Sequence, residues 1–131
     1  ENDFGVLNLG KRDIGNDLHN PIPIKSYDGQ VKSFSAVIEK LNARGLIVTA
    51  KGDDCDFVSR FFGPQCGVNE DPVTGSAHTT LTPYWASILG KTELTARQLS
   101  QRTGDLTCNL MGDRVEIAGE AVLYLKGEIE V

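Results

Sequence analysis

Asp71, Thr74, Gly75, Ser76 and His78 fall within one short stretch of the chain and together offer a carboxylate, two hydroxyls, an imidazole and a conformationally free glycine. Pro72 disfavours the helical region for Asp71 and fixes its own φ, so the carboxylate is held on an extended segment. Gly75 lets the backbone turn sharply or approach a ligand closely. The residues that follow, Ser76 to Leu89, can begin a helix. The first amides of a helix lack internal partners and stand at the positive end of its dipole. A carboxylate or phosphate would be held there.

Two kinds of chemistry compete for these groups. Asp71, Ser76 and His78 contain the residue types of a hydrolytic triad, but residues two apart on a helix point about 200° from each other, which places Ser76 and His78 badly for sharing a proton. No Gly-x-Ser-x-Gly elbow is present either. Anion capture uses the same residues better. The amides of Gly75, Ser76 and Ala77, with the Thr74 or Ser76 hydroxyl, can hold a substrate carboxylate while Asp71 accepts a hydrogen bond from an amine or hydroxyl. That arrangement would fix a carbon acid beside a proton shuttle. The plain alternative reads Thr74 or Ser76 as an N-cap, Asp71 as a turn former and His78 as a helix-surface residue.

The stretch Glu70-Asp71-Pro72-Val73-Thr74-Gly75-Ser76-Ala77-His78, preceded by Phe57-Val58-Ser59-Arg60-Phe61-Phe62-Gly63-Pro64 and followed by Pro83-Tyr84-Trp85, resembles the signature of the phenazine-biosynthesis PhzF-like isomerases. The likeness extends more loosely from Gly45-Leu46-Ile47-Val48-Thr49-Ala50 through Gln98-Leu99-Ser100-Gln101-Arg102 to Val115, Ile117 and Gly119. It implies an α+β fold in which a curved mixed or antiparallel sheet wraps a central helix. Two such halves make a diaminopimelate epimerase-like protein with the active site in the cleft between them. The resemblance further implies proton transfer at carbon by a glutamate of the first half, with no metal and no organic cofactor. It places Asp71 as the catalytic group of this half and Thr74, Gly75, Ser76, Ala77 and His78 at the substrate. Ser76 stands where epimerase relatives carry a second-half thiol, which disfavours a two-thiol racemase. Gln101-Arg102-Thr103-Gly104 departs from the family's usual Arg-Gly-Gly, and Thr103 adopts positive φ less cheaply than glycine.

The chain therefore reads as a single domain, residues 1–131, similar to the second (C-terminal) half of a PhzF-like isomerase, its N-terminal half and catalytic glutamate missing. Its expected partners are a small carboxylate-bearing substrate and either the missing half or a second copy in a homo-oligomer. Alone it would be catalytically silent. The rival reading is a non-catalytic small-molecule or protein-binding module that keeps the anion pocket.

Composition agrees with one soluble domain and excludes several classes. At 131 residues, 40% hydrophobic and 24% charged, the chain is of a size to bury one core. A net charge of −5 without a basic cluster opposes nucleic-acid binding. No apolar run has the length of a membrane span, and neither a basic nor an apolar leader opens the chain, so the expected location is cytoplasmic. Cys55, Cys66 and Cys108 form no close pair and suit reduced thiols, while His19 and His78 lie too far apart to suggest a metal site.

The elements that must position the motif follow from periodicity. Residues 1–32 read as edge strands and loops, with apolar pieces at Val6–Leu9 and Ile22–Ile24. Phe34, Val37, Ile38 and Leu41 mark an amphipathic helix capped by Ser33 or Ser35 and ended by Gly45. Leu46–Ala50 and Phe57–Phe62 are buried strands, and Arg60 within the second must reach water or a carboxylate, with Glu70 and Asp71 as candidates. The helix from Ser76 to Leu89 contains Pro83, which predicts a bend, and its apolar residues Leu81, Tyr84, Trp85, Ile88 and Leu89 predict enclosure around much of its circumference. Strand signals then run over Leu94–Arg102 and Leu106–Leu110. Gly112-Asp113 turns the chain into Arg114–Ile117 as a hairpin. Ala121–Leu125, apolar on both faces, predicts a central strand, and Ile129 and Val131 alternate with glutamates.

Overall fold

A computed structural model describes residues 4–8 and 43–130. They form six strands and one α-helix: β1 (Phe4–Asn8), β2 (Gly45–Lys51), β3 (Phe57–Phe62), α1 (Gly75–Leu89), β4 (Glu93–Gln98), β5 (Gly104–Met111) and β6 (Arg114–Ala118). The strands make one sheet in sequence order. β1 pairs parallel with β2 and β3 parallel with β4, and the remaining neighbours are antiparallel. This is the expected α+β mixed sheet packed on a helix. The expected helix around Phe34–Leu41 and the apolar piece at Ile22–Ile24 lie outside the described residues.

Strands β3 and β4 are parallel neighbours, so the chain must cross between their ends, and α1 is that crossover. Alternate strand residues therefore face the helix. Ile47, Phe57, Phe61, Leu94, Ala96, Leu106 and Cys108 meet Ala77, Leu81, Trp85 and Ala86 in one core. Phe57 stacks on Trp85 with ring centroids 5.7 Å apart. The Trp85 indole donates to Thr49 Oγ1 at 2.9 Å, which in turn donates to the Val58 carbonyl at 2.8 Å, so the polar tip of the buried ring is satisfied.

α1 runs as one helix through Pro83, as the sequence indicates. Pro83 sits on its exposed side, where water can serve the carbonyl that the missing N–H leaves open. Three sequence expectations are corrected here. First, the helix is covered by a single stripe, Ala77, His78, Leu81, Thr82, Trp85 and Ala86, and Tyr84 and Ile88 are exposed. Second, β4 ends at Gln98 rather than Arg102, because the chain must turn there to begin β5 opposite it. Third, the segment after β6 forms no strand: Val122, Leu123, Tyr124, Leu125 and Ile129 are 77–98% exposed. β6 is only half-buried, and on one face alone, so a strand apolar on both faces gains little by joining its edge.

The turn between β4 and β5 keeps the geometry in which glycine is favoured without having the glycine. Thr103 adopts φ 54, a costly conformation for a β-branched residue. It is held by two bonds from its amide, to the Ser100 carbonyl at 3.1 Å and to Ser100 Oγ at 3.0 Å. Gly104 cannot be replaced as easily, since a Cβ there would collide with Val73 Cγ2. The β4–β5 turn is thus packed directly against the Asp71–Thr74 segment. The hairpin expected at Gly112-Asp113 forms as read, with Met111 opposite Arg114 and Gly112 at φ 63.

Candidate functional site

The segment from β3 to α1 is tied down at its start by charge. Arg60 and Glu70 form a bidentate pair with contacts of 2.7 and 3.0 Å, and their side chains are 11% and 6% exposed. The guanidinium lies 4.9 Å from the centre of the Phe62 ring. Of the two carboxylates available, Glu70 meets Arg60 because both lie on the sheet face turned away from α1. Asp71, the next residue, is directed toward the helix. Its amide donates to the Phe61 carbonyl at 3.0 Å, which extends the β3 edge to the motif.

Asp71 and Thr74 are then locked together. Thr74 Oγ1 donates to Asp71 Oδ2 at 2.6 Å. Gln98, fully buried at the end of β4, donates from Nε2 to the Asp71 carbonyl at 2.7 Å and to Thr74 Oγ1 at 3.1 Å, and its Oε1 accepts the Thr74 amide at 2.8 Å. Thr74 is the N-cap residue by position, with extended backbone, but its hydroxyl is committed to Asp71 and does not cap α1. Among the described residues no side chain caps the start of the helix. Gly75 and Ser76 are exposed, and a Cβ at Gly75 would meet nothing within 4 Å. The helix N-terminus, with Asp71 beside it, opens to solvent.

Ser76 and His78 go separate ways, as their spacing on a helix requires. Ser76 is exposed, whereas His78 is fully buried. His78 Nδ1 lies 2.7 Å from the Thr74 carbonyl, which can only accept, so that nitrogen carries the proton. Nε2 is then the acceptor, 3.4 Å from Ser59 Oγ on β3. With the ring sealed and both nitrogens engaged, His78 reaches the site through Thr74 rather than through open space. The structure leaves Gly75 and Ser76 exposed with Asp71 half-buried near them, and sets Thr74, His78 and the Ala77 side chain behind, buried.

Burial pulls the His78 pKa below its ordinary 6.5, with the Thr74 carbonyl opposing that shift. The unfolded chain therefore takes up this proton first as pH falls. The contribution of His78 to stability is complete above pH 6.5 and declines as pH drops through that value. Urea denaturation across mildly acidic pH should show a loss of up to about 1.4 kcal/mol per pH unit from this group. His78→Gln should flatten that slope, and an unchanged slope would place the proton elsewhere.

Gln98 is the residue that sequence reasoning passed over. Its signal was present: Leu94, Ala96 and Gln98 share one strand phase, and a carboxamide in line with two buried apolar residues needs buried partners. At the other end of α1 lies a cavity of about 450 Å³ lined by Asp53, Asp54, Cys55, Asp56, Lys91 and Thr95 among others. Asp56 is already paired there with Lys91 at 2.6 Å and bonded to the Thr95 amide at 2.7 Å, which accounts for it structurally. Cys55, Cys66 and Cys108 are all free thiols. Among the described residues no helix is long and apolar enough to cross a membrane, and no His, Cys, Asp and Glu cluster suits a metal ion.

Comparison with known proteins places this geometry in context. The family model for phenazine biosynthesis-like proteins matches residues 22–127. The chain is 55% identical over 96 residues to a Pseudomonas aeruginosa protein named an uncharacterized isomerase, covering 73% of this chain and 37% of that one. It is 52% identical over 113 residues to a Mus musculus phenazine biosynthesis-like domain-containing protein, covering 81% and 39%. A crystal structure of a PhzC/PhzF protein from Clostridium difficile superposes with a TM-score of 0.73 at 36% identity, over 100% of this chain and 46% of that one. The chain thus spans less than half the length of these relatives.

Proposed function

Because this chain belongs to the phenazine biosynthesis-like family, we propose that it is the C-terminal half of an isomerase that moves a proton at carbon on a small carboxylate-bearing substrate. The single observation that carries this reading is the uncapped, solvent-facing start of α1, with the Asp71 carboxylate fixed beside it. The amides of Gly75, Ser76 and Ala77 with the Ser76 hydroxyl hold the substrate carboxylate. Asp71 orients the substrate's amine or hydroxyl, and Thr74 and His78 support the turn from behind. The acid that transfers the proton belongs to the remaining half, and the reaction uses neither metal nor organic cofactor.

Two surfaces support a two-half assembly. The outer side of α1 exposes Tyr84 and Ile88, and the segment after β6 exposes Val122 to Leu125, apolar side chains that this sheet does not cover. A chain spanning 37% of a relative leaves ample length for the cover, and a second copy is the alternative source.

Titration of this chain with benzoate, followed by amide NMR, tests the pocket. Shifts concentrated at Gly75 to Ala77 are expected, and shifts absent there would remove the anion site. Joining the chain to the remaining half, in deuterated solvent with carboxylate-bearing substrates, separates isomerase from binding module. Deuterium incorporated at carbon supports the enzyme; saturable binding without incorporation supports the rival.

A further inference from the structure

The buried carboxamide of Gln98 uses both its donors and its acceptor on two residues of the motif. Nε2 reaches the Asp71 carbonyl and Thr74 Oγ1, and Oε1 takes the Thr74 amide. Among the described residues the hydrogen bonds of the Gln98 side chain run to Asp71 and Thr74, and the residue is 0% exposed. Burying a polar side chain so completely is favourable only when its partners are met, so the geometry fixes those partners as firmly as they fix Gln98. The consequence is directional. With the Thr74 amide occupied, Thr74 cannot slide into the first turn of α1. With Nε2 donating to Thr74 Oγ1, the hydroxyl proton is left to point at Asp71 Oδ2, 2.6 Å away.

We propose that Gln98 is a positioning residue of the site: from β4 it sets the hydroxyl of Thr74 and thereby the carboxylate of Asp71 relative to the open amides of α1. This rests on the carboxylate-binding reading above and adds to it a residue that touches no substrate.

Gln98→Glu tests the role through its pH dependence. An ionised glutamate has only acceptors, so it would set an oxygen against the Asp71 carbonyl in place of the amide donor and break the clamp. Protonated, its O–H can donate to that carbonyl again. Benzoate affinity of Gln98→Glu, read from the Gly75 and Ser76 amides, should fall about tenfold at neutral pH and recover toward wild type at mildly acidic pH. Gln98→Met, which fills the space without polar atoms, should lose affinity at both pH values. A side chain that merely fills volume would give Gln98→Glu no such recovery, and equal affinity of Gln98→Glu and wild type at neutral pH would overturn the proposal.

Hydrogen exchange at the Thr74 amide supplies a second readout, independent of any ligand. Gln98→Met should speed it by about tenfold or more relative to neighbouring β4 amides. Unchanged protection overturns the clamp. If the wild-type chain binds no benzoate, the carboxylate reading fails on its own, and exchange at Thr74 still decides whether Gln98 holds the turn. Should Gln98→Glu not fold at neutral pH, Thr74→Val takes its place: it removes the hydroxyl that Gln98 orients and should weaken benzoate about as much as Gln98→Met. Full benzoate affinity in Thr74→Val would likewise overturn the proposal.

Discussion

Asp71→Asn, in the chain joined to its remaining half, is expected to lower turnover by about 10²- to 10⁴-fold while leaving the fold intact. The asparagine carbonyl can still accept the Thr74 hydroxyl that now reaches Asp71 Oδ2 at 2.6 Å. The backbone bonds of residue 71, to the Phe61 carbonyl and from Gln98, do not involve the side chain. What disappears is the negative charge available to the substrate's amine or hydroxyl. Parallel measurement of deuterium incorporation and urea denaturation checks this. Stability should change by no more than about 1 kcal/mol. Undiminished turnover would remove Asp71 from the chemistry, and a matching loss of stability would assign it to the fold instead.

Glu70→Gln should have the largest effect on stability, about 3 kcal/mol or more. Arg60 and Glu70 are both nearly buried and joined through two contacts. Neutralising one partner leaves the other's charge in a place where water cannot fully compensate it. The double change Arg60→Met with Glu70→Leu should cost less than Glu70→Gln alone, since neither charge of the pair remains and the methionine can lie along Phe62. Urea denaturation of the single and double variants gives the comparison. A Glu70→Gln change within about 0.5 kcal/mol of wild type would mean that the pair is solvated and does not anchor the motif. The pair matters to the site because it precedes Asp71 directly: a loosened Glu70 frees the segment whose next amide is bonded to β3.

Much of the architecture was legible in local pattern. Continuous or alternating apolar runs marked β2, β3, β5 and β6, and Gly112-Asp113 marked the hairpin. The same pattern failed at the chain's end, where Ala121 to Leu125 has every local mark of a central strand and forms none. A strand needs a neighbour, and apolar residues on both faces say that one is required without supplying it. Pro83 disfavours a helix interior, yet the stretch reads as one helix and forms one, with Leu81, Thr82, Trp85 and Ala86 packed against the sheet on either side of it.

The sequence by itself determined that a carboxylate, two hydroxyls and an imidazole would gather around the start of one helix, because Pro72, Gly75 and the helical run after them act within a few bonds of each other. It also required that Arg60 have a partner. Only the tertiary structure decided that the partner is Glu70, that His78 turns inward to Ser59, and that Gln98 closes around Thr74 from 24 residues away. Local sequence sets backbone preferences and the face on which a side chain lies; which buried donor meets which acceptor depends on the strands that become neighbours, and that is settled only when the sheet assembles against α1.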